Sequence, residues 1–141
     1  GLQDALSQGL TRSIGVSNYE AKELNEVFAV GGVKPALNQC AMSIGSHDDA
    51  TISFCKSHNI TYEAWNVVKG CNRTHPTVVS TAAKHNVSAF QVCLRYIVDR
   101  GCVMAVGTGK DPSTVGAYTS ENLGIFNFKL SDEEVDALSA I

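Results

Sequence analysis

Residues 12–18 read RSIGVSN, an apolar run broken by one glycine and closed by Ser17-Asn18, with a helical pattern directly behind it. In α/β proteins such strand ends are where ligands gather. The stretch therefore poses a choice: Ser17-Asn18 holds a ligand, or it caps the next helix.

The same grammar repeats downstream. Residues 17–32 (SNYEAKELNEVFAVGG) place Ala21, Leu24, Val27 and Phe28 at helical spacing, with Ser17 and Glu20 at capping-box distance and Gly31-Gly32 as a stop. PALNQC (35–40) reads as a second strand. SHDDATISFCKSHN (46–59) reads as a second helix, with Asp48 and Asp49 near its positive end. ITYEAW (60–65) is a third strand. A loop with Gly70 and Pro76 leads to two helices, TVVSTAAKHN (77–86) and SAFQVCLRYIVDRG (88–101), the second boxed by Ser88 and Gln91. CVMAVG (102–107) is a fourth strand, Asp111-Pro112 opens a helix ending near Gly124, and SDEEVDALSAI (131–141) is a last helix boxed by Ser131 and Glu134.

Four strand–helix repeats, with an extra helix before the last strand, imply an α/β fold with a parallel sheet and right-handed crossovers. A small open sheet covered on both faces and part of a (β/α)₈ barrel both fit. A full barrel takes about 250 residues, so a chain of 141 could supply about half of one.

Length and composition describe one domain over residues 1–141, with 44% apolar and 18% charged residues. No apolar run approaches the ~20 residues of a membrane span. A net charge of −3, without a Lys/Arg cluster, argues against a nucleic-acid partner. The chain starts at Gly1 without a Met and shows no targeting signal. The expectation is a processed or fragmentary chain of cytoplasmic or organellar location.

Cysteines stand at 40, 55, 71, 93 and 102, an odd number without a Cys-x-x-Cys pair. They read as reduced, buried thiols rather than a disulfide framework or a metal site. Asn59, Asn72 and Asn86 begin Asn-x-Ser/Thr triplets, read as chance occurrences. His47, His58, His75 and His85 fall at helix ends or in loops without metal spacing, so capping or solvated roles are expected and no metal is assigned.

The segments GLTRSIGVSNY (9–19), KPALNQC (34–40), SFCKSHNIT (53–61) and SENLGIFNFKLSDEEVDAL (120–138) resemble the carboxyl-terminal half of the aldo-keto reductase family. Their order and spacing are similar to strands five to eight of that family's TIM barrel. The resemblance implies four parallel strands with helices, and a family activity of NADP-dependent hydride transfer to a carbonyl. On pattern alone, Ser17 is a helix cap, and Asn18 and Gln39 satisfy loop backbone. The resemblance instead makes Ser17, Asn18 and Gln39 matches to residues that hold the nicotinamide carboxamide. That group needs a donor and an acceptor, and Asn and Gln offer both.

The resemblance also assigns cofactor positions farther on. Trp65 stands where the family stacks a Tyr on nicotinamide, and Asn66-Val67-Val68 replaces the usual Ser-Pro-Leu. Gly107-Thr108 stands at a Lys-Ser pair, and Tyr118 near an Arg, that grip the 2′-phosphate; Lys110 lies close to them. Glu121 and Asn122 match the pair that touches adenine, and Met42 stands at an aromatic position. The family's catalytic Asp, Tyr, Lys and His belong to the amino-terminal half, and Tyr19, Tyr62, Tyr96 and Tyr118 match none of them.

Two functions follow from the resemblance. One is a non-catalytic accessory or structural subunit of a larger assembly. The other is a fragment or split half of an NADP-dependent reductase that contributes the cofactor-binding half. Either way, another chain or the missing amino-terminal half is expected to cover the sheet edges at RSIGV and CVMAVG. Alone, the chain is expected to bind NADPH weakly or not at all and to reduce no aldehyde. Trp65 is expected to be a packing residue or an interface anchor. Val16, Leu37, Ala64 and Val106, or their neighbours, would face the barrel interior, depending on register.

Overall fold

The computed structural model describes residues 1–141. Four strands, β1 (Gly15–Ser17), β2 (Leu37–Ala41), β3 (Thr61–Trp65) and β4 (Val103–Met104), form one parallel sheet in the order β1-β2-β3-β4. The helices are α1 (Leu2–Ser7), α2 (Ala21–Ala29), α3 (Asp49–Ser57), α4 (Pro76–His85), α5 (Ala89–Asp99), α6 (Pro112–Leu123) and α7 (Asp132–Ser139), with a 3-10 turn over Gly124–Asn127. No helix is long and apolar enough to cross a membrane. The chain divides into two compact units: Gly1–Ala41 with Asp48–Glu63, and Met42–His47 with Ala64–Ile141.

In the first unit, Gly15 permits the close approach of β1 to β2, because a Cβ there would meet the Leu37 carbonyl oxygen at 2.8 Å. Gly15, Val16 and Ser17 pair with Leu37, Asn38 and Gln39. Asn38 is fully buried; its side chain donates to the Tyr19 carbonyl at 2.7 Å and accepts from the Tyr19 N–H at 3.4 Å. A buried amide so satisfied pins the segment after β1 to β2. The Thr51 hydroxyl accepts from the Ala21 N–H at 3.1 Å and donates to Asp48 at 2.6 Å, joining the start of α2 to the start of α3. Leu24, Ile52, Cys55 and Tyr62 fill the core of this unit.

Two boundaries in this unit differ from the sequence reading. β1 covers Gly15–Ser17 rather than 12–16, and α2 starts at Ala21 with Glu20 as N-cap. The reason is that the Ser17 hydroxyl is used across the sheet, donating to the Gln39 carbonyl at 3.0 Å, and is not available as a cap. The box is formed instead by Glu23, whose carboxylate accepts from the Glu20 N–H at 2.9 Å. α1 lies before the first element read from the sequence, although Leu2, Ala5 and Leu6 stand at helical spacing.

In the second unit, α5 buries Val92, Cys93, Leu94, Tyr96 and Ile97 on its inner face. The Ser88–Gln91 box that opens it and the Ser131–Glu134 box that opens α7 form as the spacing predicts. His75 caps α4, accepting from the Thr77 N–H at 3.3 Å, and Asp111 caps α6. Arg95 grips Asp99 through two hydrogen bonds, at 2.8 and 2.6 Å, and Asp99 also accepts from the Leu130 N–H at 2.9 Å. That network holds the chain after the 3-10 turn against α5.

One expectation is corrected here. Cys71 and Cys93 are joined in a disulfide with Cα atoms 6.2 Å apart, and only Cys40, Cys55 and Cys102 are free, all buried. Folding brings together two residues 22 apart in sequence, a closeness that spacing does not encode. Trp65, the last residue of β3, is 40% exposed: it lies outside the core, as the interface-anchor alternative requires. Among the four residues expected to face a barrel interior, Ala64 is fully buried and Val16 shares a face with buried Asn38, while Leu37 lies on the opposite face with Gln39. The register left open by the sequence thus sets Leu37 and Gln39 on one face and Val16 and Asn38 on the other, and Val106 lies beyond the two-residue β4.

Candidate nicotinamide and adenine sites

The first unit carries Ser17, Asn18 and Gln39 at the carboxyl ends of two adjacent strands. Ser17 and Gln39 are register partners. The Gln39 carbonyl accepts from the Ser17 hydroxyl at 3.0 Å and from the Asn18 N–H at 2.9 Å. Asn18 Nδ2 in turn donates to Ser17 Oγ at 3.2 Å. Asn18 takes a left-handed backbone conformation (φ 57°), which ends the strand and turns the chain. Asn is one of the few non-glycine residues that does so at low cost. The backbone of Gln39 is therefore committed to the strand ends, and its half-buried side-chain amide extends from the face opposite Asn38. The trio is interlocked and sits where a parallel α/β sheet offers ligands its strand ends.

Cys40 and Cys55 lie beneath this strand end. Burial raises the pKa of both thiols, more than hydrogen bonds from neighbouring groups lower it. They stay protonated at neutral pH and act as small apolar side chains. Asp48 has its pKa lowered, chiefly by the hydrogen bonds from the Thr51 hydroxyl and N–H, and serves as the α3 cap.

The second unit carries Trp65, Thr108, Glu121 and Asn122. Asn66, also left-handed (φ 64°), turns the chain after Trp65 into the loop that leads to α4. Gly70 lets that loop close on Ser43, since a Cβ there would clash with Ser43 Oγ. Thr108 is half-buried in the loop after β4. Glu121 accepts from the Ser88 hydroxyl at 2.7 Å, and its carbonyl accepts from Gln91 Nε2 at 3.0 Å. The Oδ1 atom of Asn122 is buried without a hydrogen-bond partner.

Glu121 and Asn122 are neighbours in sequence but wall different cavities. Glu121 lines one of about 360 Å³ with Arg73, Phe90, Gly107, Gly109 and Tyr118. Asn122 lines an apolar one of about 340 Å³ with Leu94, Met104 and Ile125. Successive helix residues point about 100° apart, which separates them. Neither Trp65 nor Thr108 lines either cavity. Sequence reading missed Asn38, whose burial shows only in three dimensions. It also missed Arg73 and Phe90, which line the cavity of Glu121 and carry no motif. No group of three or more His, Cys, Asp or Glu side chains is placed to hold a metal.

The aldo/keto reductase family model matches residues 1–141. The chain belongs to the aldo-keto reductase family. It is 30% identical over 148 residues to Protein REDOX 2 of Catharanthus roseus, covering 99% of this chain and 44% of that protein. It is 30% identical over 141 residues to the glyoxal reductase of Bacillus subtilis (strain 168), covering 99% and 49%. The crystal structure of the Bombyx mori aldo-keto reductase AKR2E4 in complex with NADP superposes with a TM-score of 0.83 at 28% identity, over 99% of this chain and 47% of that one. The chain thus spans about half the length of the curated relatives it matches. Its strands and helices are those of half a (β/α)₈ barrel of this family, as the resemblance implies.

Proposed function

We propose that this chain is the cofactor-side half of an NADP(H)-linked aldo-keto reductase barrel, with carbonyl chemistry dependent on residues outside it. The interlocked Ser17, Asn18 and Gln39 carry this reading. An amide pair held at strand ends suits a carboxamide, which presents both an N–H donor and a C=O acceptor. NADPH, when bound, supplies the hydride; the side chains of this half bind and orient it. Tyr62 and Tyr96 are buried, and the Tyr96 hydroxyl is paired with Ser139 and Arg100, so neither is placed to protonate a carbonyl.

A second reading, a non-catalytic accessory subunit, draws support from the cavity around Glu121. Gly107 and Tyr118 stand there where the resemblance places phosphate-gripping cations. NADPH fluorescence titration tests both readings. The cofactor reading expects weak binding by this chain, further weakened in Gln39→Ala, and no aldehyde reduction. Binding that is absent, or indifferent to Gln39→Ala, favours the accessory reading, and carbonyl reduction by the pure chain overturns both.

A further inference from the structure

The Asn-x-Ser/Thr triplets at Asn59, Asn72 and Asn86 look alike in the sequence, but the structure sets them in different surroundings. We propose that Asn72 is an N-glycosylation acceptor, taking an oligosaccharide on Nδ2 from a lipid-linked diphosphate donor.

Asn72, Arg73 and Thr74 form a continuous exposed run in the loop before α4. Asn72 Oδ1 accepts from the Thr74 hydroxyl at 2.8 Å and from the Thr74 N–H at 3.2 Å. These bonds hold the amide and the hydroxyl that the triplet requires against each other. They leave Nδ2, the atom that would carry the sugar, without a hydrogen bond inside the chain. A glycan added there extends into solvent and displaces no packed side chain.

The other two triplets are committed to the fold. Asn59 and Asn86 are exposed, but each takes a left-handed backbone (φ 54° at both) where a helix ends. The Ser88 hydroxyl of the Asn86 triplet donates to Glu121 at 2.7 Å and accepts from the Gln91 N–H at 3.1 Å, so it is spent on the start of α5. Thr61 of the Asn59 triplet opens β3, and its N–H donates to the Ala36 carbonyl at 3.0 Å.

An independent observation points to the same compartment. Cys71, the residue before Asn72, is joined to Cys93 in a disulfide. Structural disulfides form and persist where the surroundings are oxidising, as in the secretory lumen, and N-linked glycans belong to secreted chains. The free thiols of Cys40, Cys55 and Cys102 are all buried, so an oxidising medium meets no exposed thiol.

The transfer forms a bond from Nδ2 to the sugar C1 as the C1–O bond to the diphosphate breaks. The lipid diphosphate leaves with that electron pair, one amide proton is released, and nothing is oxidised or reduced.

The chain, expressed behind a cleavable secretion signal in a eukaryotic host, is collected from cells and medium together, digested with peptide-N-glycosidase F and mapped by mass spectrometry. Collecting both pools scores variants that fold poorly and stay in the cell. Digestion is expected to shift the wild type on a gel and to convert Asn72 to Asp. Asn72→Gln and Thr74→Ala should abolish the Asn72 glycan, and Thr74→Ser, which keeps the hydroxyl, should restore at least part of it. The native protein, isolated with an antibody raised against the chain, should show the same conversion at Asn72. An unmodified Asn72 in the expressed or the native protein, or a gel shift that Asn72→Gln leaves at full size, overturns the proposal.

Discussion

The Ser17 hydroxyl donates to the Gln39 carbonyl at 3.0 Å, across the register pair that ends the first two strands. The bond fixes where β1 stops and where the Gln39 side chain begins. Because Ser17 is exposed, its loss removes one solvent-accessible hydrogen bond rather than orphaning a buried group. Ser17→Ala is expected to cost about 0.5–1 kcal/mol in urea unfolding. Any NADPH affinity of the chain should fall with it, and Ser17→Thr should recover both. An alanine variant with wild-type affinity would show that the hydroxyl serves the strand end alone.

The Cys71–Cys93 bridge closes a 22-residue separation between the loop after β3 and α5. Chain-entropy arithmetic for a loop of that size gives about 3 kcal/mol. The double variant Cys71→Ala/Cys93→Ala is expected to lose stability of that order, and so is the wild type in dithiothreitol. Thiol counting gives a second check. Iodoacetamide should label three cysteines in the unfolded, unreduced chain and five after reduction. In the native chain it should label Cys40 and Cys55 very slowly, since burial raises their pKa and blocks access. Five labelled thiols without reductant would rule out the bridge.

How much of this was legible in the sequence divides by range. The boxes at Ser88–Gln91 and Ser131–Glu134 depend on residues three apart and were readable directly. The Ser17–Glu20 spacing looked the same, yet a carbonyl 22 residues away claimed the serine. The disulfide, the burial of Asn38 and the divergence of Glu121 from Asn122 all depend on three-dimensional placement. Whether Trp65 packs in the core or stands at a surface also depends on placement: it ends β3 and is 40% exposed. Its replacement by Ala should therefore cost less than the roughly 3–5 kcal/mol of a buried aromatic.

Glu134 ties α7 to α4. Its carboxylate accepts from Lys84 at 2.7 Å and lies 2.9 Å from His85 Nε2. Burial opposes its ionisation, but the Lys84, Ser131 and His85 hydrogen bonds, with the His85 charge, outweigh burial and bring its pKa down to about 2. A depressed carboxylate stabilises the fold above its unfolded pKa, near 4.3, and that contribution fades as pH falls towards the folded value. With Lys84 largely exposed, the contribution at neutral pH is about 2 kcal/mol. Stability of the wild type should fall between pH 4.5 and 2 more steeply than that of Glu134→Gln. Parallel acid limbs for the two proteins would refute this account.

β1 and β4 each have one neighbour in the sheet order, so each leaves an edge of unpaired backbone groups. In the second unit the β4 edge is apolar. Val103 is 49% exposed, and Leu123 and Phe126, at 61% and 65%, line the same cavity as Met104. No charge or proline within Val103–Met104 protects the strand from pairing. The barrel relatives have about twice this length, and a closed barrel leaves no free edge. The isolated chain of 15.0 kDa is therefore expected to associate, with a copy of itself or with a complementary half-barrel. Light scattering should report a mass above that value. Phe126→Asp, which places a charge on the exposed apolar surface without emptying the core, should lower the associated fraction. A well-folded wild-type monomer across the micromolar range would mean that the β4 edge is tolerated in water, and would remove the main argument for a partner.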